Sequence, residues 1–328
     1  MPILCNYYVT YRCNAACSFC VFGKHDRWND FPHARKEDVL RNLSALRQAG
    51  VWFIDFTGGE PLLHPDIHLF TREASSLGMM TSITTNCLLY PKRARDLQGT
   101  VDLLHFSLDS AEASAHNALR GVDCFDAVIR SLEIARSLGE RPDILFTATE
   151  ANIEALPGVY ELARKYDLLL LINPIFSHIK RQELSTENLD YLESFGKKYG
   201  VYLNPSFLLL RRQGGNDTRK PLCKAVSRVI VISPENELLL PCFHFQKTKL
   251  PLDAGLRNVL NSDARRYHRT MQGRHTFCAG CTVNCYFEPS FAYPVNILSL
   301  RSIPSKMRYA YHKYLRRLFR RGRLLRAS

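Results

Sequence analysis

The sequence predicts an α/β protein whose main body is a partial (β/α)6 barrel, and two observations lead there. Six short runs rich in apolar, β-branched or aromatic residues recur at 4–10, 51–57, 80–85, 101–108, 143–149 and 167–173. Amphipathic stretches with helical spacing lie between them, and KEDVLRNLSALRQAG at 36–50 ends on a Gly suited to a helix C-terminus. Strands alternating with helices imply parallel strands joined by right-handed crossovers. Six units fall short of the eight that close a full TIM barrel, so an open, TIM-like barrel is expected. Reactive residues should then sit at the C-terminal ends of the strands.

The unusual residues do cluster at those ends. After the first strand comes CNAACSFC, with Cys13, Cys17 and Cys20; after the second, Gly58-Gly59-Glu60-Pro61; after the third, Asn86; after the fourth, Ser107 and Asp109. The start, MPILCNYYVT, lacks the basic and long apolar regions of a secretory signal, so a cytoplasmic location is expected. Structural disulfides are rare there, and eleven cysteines in clusters read as metal ligands or redox groups. No apolar run reaches 18 residues, so no transmembrane helix is expected. Three thiolates can hold three irons of a cubane cluster and leave the fourth iron open to a small ligand. Zinc completed by a distant ligand such as His25, or buried thiols alone, are the alternatives. In GGEP the glycines permit positive φ and close backbone approach, and Pro61 stiffens the exit.

Cys13, Cys17 and Cys20, with Phe19 before the last, followed some forty residues later by GGEP, resemble the radical S-adenosylmethionine (radical SAM) superfamily over about residues 3–180. The resemblance implies a 4Fe-4S cluster on the three cysteines, whose open iron takes the amino and carboxylate groups of S-adenosylmethionine. One electron then cleaves that cofactor to a 5′-deoxyadenosyl radical, which abstracts a substrate hydrogen. It also implies that Gly58, Gly59, Glu60 and Pro61 meet the cofactor, with the Glu60 carboxylate toward its ammonium. Asn86, Ser107 and Asp109 stand where similar proteins contact ribose and methionine. Arg120, in HNALRG, could pair with the methionine carboxylate as a planar fork. Cap and salt-bridge duties remain open for these last four.

A second cysteine group comprises Cys223, Cys242, Cys278, Cys281 and Cys285. Between the first two, VIVISPENELLLPC reads as a β-hairpin turning at 234–236. The layout resembles the auxiliary-cluster modules of radical SAM enzymes called SPASM and twitch domains over about residues 222–288. Glu237 stands where the longer SPASM pattern has a glycine, and five cysteines imply one auxiliary 4Fe-4S cluster, as in the twitch form. Which four ligate stays open, as does a structural zinc site. His244 and Tyr286 adjoin the group and read as packing or as proton donors. Cys5, Cys87 and Cys124 read as isolated buried thiols. The expected organisation is a core at 1–180, a helical linker at 181–221, the auxiliary domain at 222–288 and a tail at 289–328.

The tail has no Asp or Glu, and residues 301–328 hold ten Lys and Arg of a net charge of +13. Met307, Tyr311, Tyr314, Leu315 and Leu318 recur at helical spacing with bases opposite, the pattern of a basic amphipathic helix lying on an anionic membrane surface. A solvated tail or a helix docked on the protein itself are the alternatives; nucleic-acid binding lacks a recognition module. The expected function is therefore radical SAM chemistry on a membrane-associated lipid or isoprenoid, with peripheral attachment and a reductant such as flavodoxin or ferredoxin. Peptide maturation and sugar or aminocyclitol oxidation are the enzymatic alternatives. An iron-sulfur scaffold or a zinc-dependent nucleic-acid binder is the non-enzymatic one.

Overall fold

The computed structural model describes residues 2–23, 28–176, 183–291 and 297–315. Six strands, β1 (Leu4–Thr10), β2 (Phe53–Gly58), β3 (Met80–Thr85), β4 (Leu103–Ser107), β5 (Asp143–Ala148) and β6 (Leu170–Pro174), pair in parallel in chain order. The crossovers carry α1 (Lys36–Gln48), α2 (Ile67–Ser76), α3 (Tyr90–Leu97), α4 (Ala113–Arg120), α5 (Phe125–Ser137) and α6 (Leu156–Lys165). The expected partial barrel is thus present, with strand ends shifted from the sequence reading by up to three residues. The α1 helix stops where expected, and Gly50 follows it at φ +91.

Period-two alternation sorts the strand residues between two faces. Cys5, Tyr7, Val9, Ile54, Phe56, Ile83, Phe106, Phe146 and Ile172 are buried together with the helices in the larger core. The other face looks into the barrel interior. Tyr8 from β1 stacks there on Phe243 at 4.2 Å and joins Tyr11, Phe22 and Tyr286 in a second, aromatic cluster.

Residues after the barrel extend the same sheet. Past α7 (Thr186–Lys198) and α8 (Pro205–Arg212), a short α9 (Ala225–Arg228) leads into β7 (Val229–Ile232), which pairs in parallel with β1. β8 (Glu237–Leu240) and β9 (Thr248–Pro251) then add antiparallel strands, making nine in all. The hairpin read from the sequence is present, and Asn236 turns it at φ +59. Buried Asn42 on α1 donates to Asn236 Oδ1 at 2.8 Å and to the Tyr7 hydroxyl at 3.0 Å, fixing the turn to the barrel's helical layer. Helices α10 (Leu256–Leu260), α11 (Asp263–Met271) and α12 (Asn284–Ser290) complete this region.

The described part of the tail departs from the expectation of a free interfacial helix. α13 (Ile297–Ala310) begins earlier than the basic run, contains Pro304, and continues as a π-helical turn at Tyr311–Leu315. It lies on the protein itself. The Ser206 hydroxyl donates to Leu298 O at 2.5 Å, and Lys306 pairs with Glu288 at 3.0 Å. At the N-terminal end of β5, buried Asp143 accepts from the Tyr309 hydroxyl at 2.8 Å and pairs with Lys313 at 3.1 Å, beside a His105 that burial holds near pKa 4. The opposite stripe, Ile297, Leu300, Ile303, Met307, Tyr311 and Tyr314, is exposed. Leu318 and the bases beyond 315 lie outside the described residues.

Removing one member of a buried ion pair leaves the other uncompensated, a penalty of about 3 kcal/mol or more. Asp143→Asn should therefore lower the thermal midpoint and speed proteolysis at Lys306 and Arg308. Cleavage at the wild-type rate would show that the Asp143 contacts do not hold the tail.

Candidate functional site

The chain leaving β1 runs back over the C-terminal ends of β2–β4, and backbone contacts fix its path. Gly59 N–H donates to Thr10 O at 3.1 Å and Glu60 N–H to Arg12 O at 2.8 Å. A Cβ on Gly59 would stand 2.1 Å from Arg12 O, and one on Gly58, at φ +145, 1.8 Å from Thr10 O. The two glycines thus admit the chain's own backbone. On the other side Ala16 N–H donates to Arg120 O at 2.9 Å and Ser18 N–H to Leu119 O at 2.8 Å, so the last carbonyls of α4 hold the loop that carries Cys13, Cys17 and Cys20.

Side chains add two buried tethers. Glu60, 2 % exposed, accepts from Leu62 N–H at 3.1 Å, the Thr85 hydroxyl at 2.8 Å and Asn86 N–H at 2.8 Å. Pro61 opens the 3-10 turn that Glu60 caps. The Asn86 amide reaches across to Asn14 Oδ1 in the cysteine loop at 2.8 Å. In the second tether, Arg120 lies 2.6 Å from Asp109 Oδ2 and donates to Cys17 Sγ at 3.7 Å, while Asp109 Oδ1 accepts from Thr147 N–H at 2.9 Å. Burial alone would lower the Arg120 pKa, but Asp109 beside it raises it above the ordinary value.

These contacts give several predicted site residues a partner within the chain. Glu60 is committed to the ends of β2 and β3, and Arg120 to Asp109 and Cys17 rather than standing as an open fork. Ser107 is buried at the end of β4 on the interior side. The sequence reading passed over His116, which is fully buried; its Nδ1 accepts from Asp109 N–H at 3.2 Å, and its Nε2 lies 3.4 Å from Cys124 Sγ. Only its place in HNALRG, four residues before Arg120, could have suggested it. Cys5, Cys87 and Cys124 are buried as expected.

The candidate ligands in both groups are free thiols, the donor type that holds iron-sulfur clusters. Burial pushes the Cys13 thiol up to about 12, with Glu60, Cys17 and Cys20 adding repulsion, and Cys20 is raised likewise. Such thiols ionise readily only beside a metal's positive charge. In the second group burial raises Cys223, brings Cys242 to about 12 and Cys281 to about 11, and raises Cys278; Cys223, Cys242 and Cys281 each also sense cysteines of this set. Among the described residues no three His, Cys, Asp or Glu stand close enough to share a single ion. Cys13 and Cys20 pack on the same cluster as Cys223, Cys242 and Cys281, one that includes Tyr8, Tyr11, Phe22, Phe243 and Tyr286. The Tyr286 hydroxyl accepts from Phe243 N–H at 2.8 Å and His244 stands ring to ring with Phe243 and Tyr286, contacts of packing.

The description "Radical SAM superfamily" matches residues 7–163. The mycofactocin maturase MftC of Mycobacterium tuberculosis is 27% identical over 303 residues, covering 85% of this chain and 75% of that protein. A probable GTP 3′,8-cyclase of Saccharolobus solfataricus is 32% identical over 159 residues, 48% of this chain and 51% of that one. Among solved structures, Streptococcus suis SuiB bound to S-adenosylmethionine superposes with a TM-score of 0.66 at 18% identity, over 88% of this chain and 70% of that chain. The anSMEcpe structure with AdoMet and Cp18Cys peptide gives 0.64 at 15%, over 99% and 100%. The two structures establish likeness of fold.

The Glu60 carboxyl is the site's pH-sensitive group. Burial lifts it from 4.5 to about 7 against its three donors. A carboxyl raised in the fold stabilises it below the unfolded value and loses that contribution as pH climbs to the folded one. The Glu60 contribution to stability should fall between pH 4.5 and 7, and Glu60→Gln should remove that part of the slope while losing about 1 to 3 kcal/mol through mismatched donors. Parallel pH profiles of the thermal midpoint in the two proteins would contradict the assignment.

Proposed function

Because the chain is a radical SAM enzyme, with its family match over residues 7–163, we propose that it modifies a peptide, acting as a maturase of ribosomally made peptides. The observation that carries this reading is the likeness to a maturase across 85% of the chain. SuiB bound to its precursor peptide SuiA shares the fold at a TM-score of 0.67, which supports it further. The lipid or isoprenoid substrate expected from the sequence rested on a free tail helix, and the described part of that helix is docked on the protein.

In this proposal Cys13, Cys17 and Cys20 hold the cluster that binds S-adenosylmethionine, and Gly58, Gly59, Glu60, Pro61, Asn86, Ser107, Asp109 and Arg120 shape that site. Glu60, Asn86, Asp109 and Arg120 act mainly by positioning the cysteine loop. Cys223, Cys242, Cys278 and Cys281 hold the auxiliary cluster, and the exposed Cys285 stays outside it. The bound cofactors supply the electron and the hydrogen-abstracting radical, with a donor such as flavodoxin or ferredoxin upstream. The division at 1–180, 181–221, 222–288 and 289–328 belongs to the same proposal.

Replacing Cys13, Cys17 and Cys20 together by Ala should cut iron from about eight per chain to about four and abolish 5′-deoxyadenosine formation. Unchanged iron would refute the ligand set. For the substrate, short peptides encoded beside this gene should change in mass only with S-adenosylmethionine and reductant present. A turnover-dependent mass change in a lipid extract, with the peptides unaltered, would favour the lipid reading instead.

The exposed stripe on α13, with ten Lys and Arg in residues 301–328, supports a separate proposal of peripheral attachment to an anionic membrane surface. Leu300→Ser with Met307→Ser should weaken binding to anionic vesicles at unchanged charge; equal partitioning would leave the stripe without that role.

A further inference from the structure

β2 carries a carboxylate that none of the tethers uses. Ile54 and Phe56 are fully buried toward the helices, so Asp55 between them faces the barrel interior. In register beside it stand Asn6 on β1 and Ser82 on β3, each 4 % exposed. Three adjacent strands therefore present one polar row, and Ser82 hydrogen-bonds the carboxylate. Asp55 precedes Gly58 by three residues, about 10 Å along the strand.

Tyr8, two residues beyond Asn6 on the same face of β1, belongs to the aromatic cluster on which Cys223, Cys242 and Cys281 pack. The charge of Asp55 acts on both Tyr8 and Cys285. Asp55 is half-buried, and desolvation lifts its carboxyl to about 6. Among the described residues it pairs with no Lys, Arg or His. A desolvated carboxylate is costly unless a counter-charge meets it.

We infer that Asn6, Asp55 and Ser82 form a recognition site in the barrel interior for a cationic group of the substrate, an ammonium or guanidinium. This rests on the peptide reading for the source of the cation, a Lys or Arg side chain. Asp55 supplies the charge, while Ser82 and Asn6 place polar groups on the strands to either side of it. A site that must neutralise a buried charge rejects a neutral isostere far more strongly than an apolar pocket rejects one methylene.

The test is selection from a displayed random hexapeptide library by cluster-loaded enzyme with S-adenosylmethionine. Wild-type protein should enrich Lys or Arg at one position. Asp55→Asn should reduce that enrichment about tenfold or more, the scale of a lost hydrogen bond to a charged group. Ser82→Ala, which keeps the charge, should reduce it less. Iron content and thermal midpoint establish that both variants are folded. Equal enrichment in wild type and Asp55→Asn would overturn the site. Peptides captured without a cationic preference would overturn it and leave the peptide reading standing, whereas no capture by the wild type would overturn both.

Discussion

The geometry at the mouth of the barrel depends on the buried ion pair between Asp109 and Arg120. Arg120 ends α4, its carbonyl accepts from Ala16, and its guanidinium reaches Cys17 Sγ, so one residue meets the cysteine loop through both backbone and side chain. Asp109, held by Thr147 N–H, anchors that guanidinium to β5. An unpaired Arg at this depth would be prohibitively costly, so the pair requires α4 to end where it does. The loop's position follows from that.

The Glu60 network does the same from the other side. Glycines at 58 and 59 bring β2 against the loop backbone, and Glu60 links β2 to β3, whose Asn86 returns to Asn14. Between these supports Cys13 and Cys20 stand in a setting that opposes ionisation unless a metal is present. Beyond them an aromatic cluster and the β7–β8 hairpin carry the second set. Because β7 pairs with β1, both cysteine groups are referred to one strand, and their relation does not depend on a flexible hinge.

Much of this was legible in the sequence. Alternating periodicities placed all six barrel strands, and the spacing of Cys13, Cys17, Cys20 and GGEP identified the chemistry, because short-range spacing survives folding unchanged. Partnerships over long separations were not legible. Glu60 meets Thr85 twenty-five residues on, and Arg120 meets Cys17 across 103 residues. In each case the sequence showed a plausible ligand but not the internal partner that engages it. The tail misled for a related reason. Its apolar stripe is real and exposed, yet Tyr309 and Lys313 on the other face find Asp143, a contact between positions some 170 residues apart. Asp55 escaped notice because one polar residue in VWFIDFT is what any half-buried strand shows.

The Arg120 and Glu60 contacts should position the cysteine loop before any metal arrives. Amide hydrogen exchange in the iron-free protein tests it most directly, at Ala16, Ser18, Gly59 and Glu60, whose N–H groups are committed to Arg120, Leu119, Thr10 and Arg12. These four amides should be protected to a degree comparable with the central strands. Exchange at the rate of an unstructured chain, with protection appearing only after iron and sulfide are restored, would contradict it.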